Sequence, residues 1–417
     1  MDNRGRGKTL WHRSLACVAV LLAGVSGCLG PKAVRYTRMR YNEVVRATNG
    51  EQLLINIVRL RYADSPVFVD LPNITSQFEV AGRGNYFGGY GNSTPGHTSL
   101  GFGELALRDT PTLTYHPREG REIAKALLTP LSADLLIVVN AGANLEQLLL
   151  FAINDINDVQ NAPDATTLIP EAVDDNSEYL RGVRLLVSLK ARGATELTFG
   201  TDEETEGSSD PTPKQAVQGR DLLNASNDGH VYRASGDSQM TVLKRKRGLY
   251  LRVRAPYVNS PEMHELARIF GLIPGLDTYK LKSELAEDIK RNPPSPLGLD
   301  TIYLNFRSVL QIMTFLSKGV SVPQEHARSG VAPMTLDDTG APYDWTRVTG
   351  GNFVVHAQKH RPRSAEVAVK YRGYWFYIAA DDVKSRSALA IFEIVFALQE
   401  SDGKSAGPLL TLPIGGR

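Results

Sequence analysis

The sequence predicts an α+β fold of mixed helices and largely antiparallel hairpins, in two subdomains, and three observations carry that reading. Apolar residues recur at helical spacing in some stretches and with period two in others, without the regular strand–helix–strand beat of a parallel sheet. Strand-like runs come in pairs around short turns, as in AEVAVKYRGYWFYIA, which favours antiparallel hairpins. About 390 residues follow a short apolar leader, and a chain of 42% hydrophobic content can bury one large core or two ordinary ones.

In chain order, residues 28–41 read as a tether and 42–200 as a first α+β domain. NGEQLLINIVRLRY puts Leu53, Leu54, Ile57 and Val58 on one helical face, with Asn49 and Gln52 spaced as a capping box. SPVFVDL, ITSQFEVAG and ELALRDTPTLTYH read as strands around a Gly-rich loop with eight glycines from Gly82 to Gly103. Helices are expected at about 118–128, 133–139, 144–159 and 177–192; the third opens on an Asn-x-Glu-Gln-Leu-Leu pattern shared with residues 49–54. TDEETEGSSDPTPK is acidic and poor in apolar residues, so residues 201–228 read as a polar linker or surface loop. In the second domain, 229–417, HVYRAS and a hairpin MTVLKRKRGLYLRVRA lead to a helix at 260–270. Strands TYKLK and IYLNF, a helix at 308–317, strand NFVVHA, the aromatic hairpin, a helix at 384–399 and a last strand LLTLPI complete the chain.

The leader, residues 1–27, bears on the compartment. Arg4, Arg6, Lys8 and Arg13 precede an apolar run from Leu15 to Val25, closed by Ser26 and Gly27. That run is shorter than the ~20 residues a spanning helix needs, and the order basic, apolar, small is that of a secretory signal. Val25-Ser26-Gly27-Cys28 resembles the lipobox of bacterial lipoproteins, which implies cleavage between Gly27 and Cys28 and acylation, palmitate included, at Cys28. Two or more acyl chains hold a protein stably on a bilayer where one does not. Leu29 in place of an Asp favours the outer membrane, with the body facing the periplasm.

Removing the leader takes away four of 47 basic and one of 45 acidic residues, so the mature chain has a formal charge of −1. The basicity belongs mostly to the signal, and nucleic acid is not an expected partner. Cys17 leaves with the leader and Cys28 carries lipid, so no disulfide is expected in the body.

The blocks EQLLINIVRLRYADSPVFVDLPNITSQ, VAVKYRGYWFYIAADD and KSAGPLLTLPIG resemble a family of bacterial envelope lipoproteins whose members carry NEQLLLNIVRLRY and AVRYRGYWFYI. The resemblance runs over most of the mature chain. It implies an envelope lipoprotein and brings no reaction, ligand or catalytic residue with it.

Candidate site residues fall in three groups. If Arg372-Gly373 is a two-residue turn, Tyr371 pairs with Tyr374, Val369 with Phe376 and Val367 with Ile378 on a core face. The other face then carries Glu366, Ala368, Lys370, Trp375, Tyr377 and Ala379. Trp375 and Tyr377 offer a platform on which a sugar ring could stack; the economical alternative covers them with the apolar helix of residues 388–398. Lys244, Arg245, Lys246, Arg247, Arg252 and Arg254 would attract anionic lipid headgroups or glycans, or form a merely solvated hairpin. Tyr86, Phe87 and Tyr90 could touch a partner or a bilayer, or decorate a tolerated loop.

Catalytic, metal and cofactor signals are weak. The Gly-rich loop has Phe87 where a dinucleotide motif needs glycine, and Gly403-Lys404-Ser405 lacks the earlier glycine of a phosphate-binding loop. His356 and His360 have metal-like spacing in a segment that reads as strand. No catalytic residue, metal ligand or cofactor is therefore assigned. The expected role is a lipid-anchored, non-enzymatic binding or scaffold protein whose partner is an envelope protein or polymer. The alternatives are a cell-wall or glycan hydrolase using Asp381, Asp382 or Glu393, and an accessory lipoprotein of an export or assembly machine.

Overall fold

The computed structural model describes residues 38–87, 100–118, 121–171, 173, 175–205, 212–213, 217–227, 230–234, 239–283 and 298–401. Gly27, Cys28, Tyr90, residues 403–405 and LLTLPI lie outside them. The fold is α+β, and the chain separates into two compact units, Pro66–Leu127 and the remainder. Among the described residues no helix is long and apolar enough to cross a membrane.

The smaller unit is built on an antiparallel ribbon. Strand β1 (Phe68–Phe87) pairs with β2 (Leu100–Arg118) from Phe68↔Arg118 to Phe87↔Leu100, with one register shift between Asp70 and Asn73. SPVFVDL and ITSQFEVAG are thus one strand. The helix Arg121–Leu128 follows.

The larger unit holds a sheet formed by β3 (Ile153–Ile156), β4 (Val159–Gln160), β5 (Thr195–Thr205), β6 (Thr212–Pro213), β7 (His230–Ala234), β8 (Gln239–Val253), β9 (Thr278–Ser283) and β10 (Thr301–Phe306). The path is β4-β3-β10-β9-β8-β5, with β6 and β7 also on β8. Among the described strands of this sheet, β9 and β10 pair in parallel and the other pairs are antiparallel. Strands before and after residues 201–228 belong to this one sheet, so the segment expected as a linker begins inside it, as the end of β5. The core sits where Leu249, Leu251, Val253, Tyr279, Ile302 and Leu304 are buried beneath helices Leu145–Ala152, Ser177–Ala191 and Pro261–Ile269. Ser308 and Gln311 form the capping box of the helix Val309–Ser317.

Three local expectations change. The first helix is continuous over 38–61, so Asn49 lies inside it and caps nothing. Gly50 is tolerated there because the helix passes close to its neighbours: a Cβ at that position would stand 3.1 Å from Glu393 Oε1. The look-alike Asn144 does cap, its side chain accepting from Glu146 N at 3.0 Å, but that helix stops at Ala152. Ile153–Ile156 turns to strand because β10 offers a ladder, and Asn157 and Asp158 take positive φ to turn back into β4. MTVLKRKRGLYLRV is a single strand, not a hairpin: β5 lies along it from Leu243 to Val253, and Gly248 pairs in register with Gly200. A Cβ on Gly200 would meet the Tyr250 ring at 2.5 Å, so that glycine admits the aromatic ring rather than a turn.

Candidate functional site

The third sheet, in order β11-β13-β12, comprises β11 (His356–Gln358), β12 (Ala365–Tyr371) and β13 (Tyr374–Ala379). Its register is the expected one: Tyr371↔Tyr374, Val369↔Phe376 and Val367↔Ile378. Arg372 and Gly373 have φ of 44° and 84°, the left-handed pair of a type I′ hairpin turn. Arg372 adopts this uncommon conformation while donating to Asp64 at 2.9 Å, and the Tyr371 hydroxyl donates to the same carboxylate.

That turn is clasped by the end of the helix 38–61. The Tyr62 ring stands edge-on to Tyr371, Phe376 and His326, with centroids 5.4, 6.0 and 5.6 Å away. Burial pushes the Tyr62 hydroxyl up to about 12, and it shares a hydrogen bond with His326 Nδ1 at 2.7 Å. Tyr374 and Lys359 both donate to Glu325, each at 2.8 Å. Hydrogen bonds from Lys359 and Tyr374 hold the Glu325 carboxyl below its usual range. The two sequence blocks LRYADS and KYRGYWF thus meet in one polar–aromatic cluster.

Glu325 and Lys359 reach solvent, whereas the Tyr62 and Phe376 rings lie on the buried face of the sheet. Val367, Leu389 and Glu393 converge on Gly50, so the apolar helix, Val383–Ser401, also packs there. The expectation that it covers Trp375 and Tyr377 is corrected: a strand alternates its faces, and the helix takes the one bearing Val367, Val369, Phe376 and Ile378. Trp375 and Tyr377 remain half-exposed on the opposite face. The Arg361 guanidinium lies 5.4 Å from the Trp375 ring, the His356 ring 5.4 Å from that of Tyr377, and Tyr377 donates to Gln358 at 3.3 Å. Arg361 also lines a cleft of about 300 Å³ together with Glu51, Arg363 and Glu366. Glu366 was expected on the open face; the register shift between Ala365 and Val367 turns it to accept from Arg46 at 3.0 Å and Arg386 at 3.1 Å.

Of the carboxylates weighed for hydrolysis, Asp382 and Glu393 stand apart. Asp382 caps the helix Val383–Ser401, accepting from Ser385 N at 3.1 Å and from its hydroxyl. Glu393 lies eleven residues along from Asp382, about 16 Å of axial rise, beyond the ~5–10 Å that two hydrolytic carboxyls require. Burial raises the Glu393 carboxyl, with Arg46 opposing and Glu366 reinforcing that shift. Among the described residues no group of three or more His, Cys, Asp or Glu is arranged to hold a metal ion.

The basic strand meets an acidic one. In the β5–β8 register, Lys244, Arg245 and Lys246 stand opposite Glu204, Glu203 and Asp202. Arg252 and Arg254 reach Glu196 at 3.0 and 3.4 Å, and Arg247 lies 3.5 Å from the centroid of Phe199. The two oppositely charged stretches of the sequence thus pair along one backbone ladder. Tyr86 and Phe87 close β1 in register with Gly101 and Leu100.

Sequence reasoning missed three interior cations. Arg307, fully buried, donates to the carbonyls of Leu150 at 2.9 Å, Phe151 and Asn161, and stacks 4.3 Å from Phe315. It thereby satisfies the end of the helix Leu145–Ala152. Arg61 donates to Pro333 O at 2.7 Å. Lys318 donates to Thr167 O and Leu168 O at 2.7 and 3.2 Å and lies 5.2 Å from the Trp345 ring. Their partners are carbonyls distant in the chain, which no local spacing announces.

No protein-family model, curated protein or solved structure matches the chain.

Proposed function

We propose that the mature chain is an acyl-anchored protein of the bacterial cell envelope that binds an envelope polymer without transforming it. The anchor is Cys28, following cleavage after Gly27, and the outer membrane facing the periplasm is the site that Leu29 favours. The observation that carries the binding role is the open sheet face: Trp375 and Tyr377 stay half-exposed while both neighbouring helices pack on the other side. An indole face beside the Arg361 guanidinium suits a sugar ring, which stacks its C–H surface on the aromatic and hydrogen-bonds at its rim. The dispersal of Asp382 and Glu393 supports binding over hydrolysis.

The test is co-sedimentation of the mature protein with isolated peptidoglycan sacculi. Wild-type protein is expected to sediment, and Trp375→Ala with Tyr377→Ala to weaken the affinity at least tenfold, ~1.4 kcal/mol. A variant that binds as well as wild type, with the fold intact by circular dichroism, contradicts the proposal; so does a wild-type protein that stays in the supernatant.

A further inference from the structure

The cleft of about 300 Å³ lies between the helix 38–61 and the segment that leads from β11 into β12, and its walls carry charges of both signs. Glu51 lines the helix side; Arg361, Arg363 and Glu366 line the sheet side. Glu366 is already engaged, by Arg46 at 3.0 Å and Arg386 at 3.1 Å. The others are not. Among the described residues the side chains of Glu51 and Arg363 have no hydrogen bond or ion pair, and Arg361 has its ring contact with Trp375. A carboxylate and two guanidinium groups thus line one space without joining across it.

The rest of the lining is small. Ala47 precedes Glu51 by one helical turn on the same face, and Ala365 and Ala368 contribute methyl groups from the sheet side. Pro362, between the two arginines, has a fixed φ and limits how far that segment can collapse into the space. A volume of this order is at the lower end of ligand pockets. Guanidinium groups bind a carboxylate through paired N–H···O bonds, and a carboxylate such as Glu51 accepts from an ammonium group. Methyl walls suit a ligand whose own side chains are short.

We propose that this cleft binds the end of a short peptide with small side chains, its free carboxylate held by Arg361 and Arg363 and its ammonium group by Glu51. This role rests on the reading of the chain as a binder of an envelope polymer, and extends that reading from a sugar to a peptide borne on the polymer. Arg361 connects the two, lining the cleft while its guanidinium lies 5.4 Å from the Trp375 ring.

Isothermal titration calorimetry of the mature protein with alanyl-alanine, in its D,D and L,L forms, provides the test. One form is expected to bind, and acetylating its amine or amidating its carboxylate should each weaken binding about tenfold. Glu51→Gln should bind the free and acetylated peptides alike, and Arg361→Gln with Arg363→Gln should bind acid and amide alike. Ala47→Leu fills the space with another good helix former and should abolish binding. All four positions are exposed, so the fold should survive in each variant, as checked by circular dichroism. No heat with either form, unchanged affinity in Ala47→Leu, or preferences that persist in the charge variants overturns the site. Peptide binding without sedimentation on sacculi overturns the polymer as the source of the peptide. Sedimentation without peptide binding overturns the cleft and leaves the sugar-binding face standing.

Discussion

Gly319→Ala is expected to destabilise the protein by about 3 kcal/mol, the upper end of what forcing atoms into a packed site costs. Gly319 follows the helix Val309–Ser317, and its carbonyl accepts from Val355 N at 3.0 Å. A Cβ there would lie 2.1 Å from the Phe353 carbonyl oxygen, well inside any tolerable contact. That oxygen belongs to the backbone, which cannot swing aside as a side chain can, and Phe353 itself is buried. The methyl group therefore pushes the helix end from residues 353–355, straining the 319–355 bond and the packing around it. Gly219→Ala is the control: nothing lies within 4 Å of its Cβ position, and alanine at the start of the helix Gly219–Asn227 should be neutral or slightly stabilising. Urea denaturation of both variants decides the matter. Equal midpoints would show that the 319–353 approach is wider than described.

The second large effect is a rise in stability between pH 7 and 9. Burial pulls the Lys318 ammonium down to about 7, with the nearby Arg61 charge adding to the shift. The unfolded chain keeps that proton up to about pH 10.4. Between these values the unfolded state binds more protons than the folded one, so stability increases with pH. Over two pH units the gain is on the order of 2 kcal/mol, and it has vanished as a slope below pH 7, where both states are charged. Arg307, pulled down to about 9 by burial, adds in the same sense only above that pH. Chemical denaturation at pH 7, 8 and 9 should show the rise in wild type and a flat profile in Lys318→Met. An equal slope in both proteins contradicts the assignment to Lys318.

Much of the fold was legible where local chemistry and tertiary context agree. The aromatic hairpin is the clearest case: alternation fixed the pairing Val369↔Phe376, and Arg372-Gly373 supplied the turn. The helices expected from residues 260 and 308 formed where their apolar spacing put them, and Ser260 and Ser308 cap them. Errors arose where a distant partner decided. Ile153–Ile156 continued a helical pattern yet joined β10, and Gly248 resembled a turn until β5 was laid beside it. The candidate site was half visible. Period two put Trp375 and Tyr377 together, but which face the last helix would cover depends on Gly50, more than 300 residues away. Arg61, Arg307 and Lys318 gave no local signal, since carbonyls from remote loops are what make their burial tolerable.

The proposed lipid anchor at Cys28 is addressed most directly by intact-mass spectrometry of the protein extracted from the membrane fraction. The account predicts a chain that begins at Cys28 and carries diacylglycerol and amide-linked fatty acid, and that Cys28→Ala remains at precursor mass without lipid. A wild-type chain retaining residues 1–27 with no added acyl mass, recovered from the soluble fraction, would contradict it.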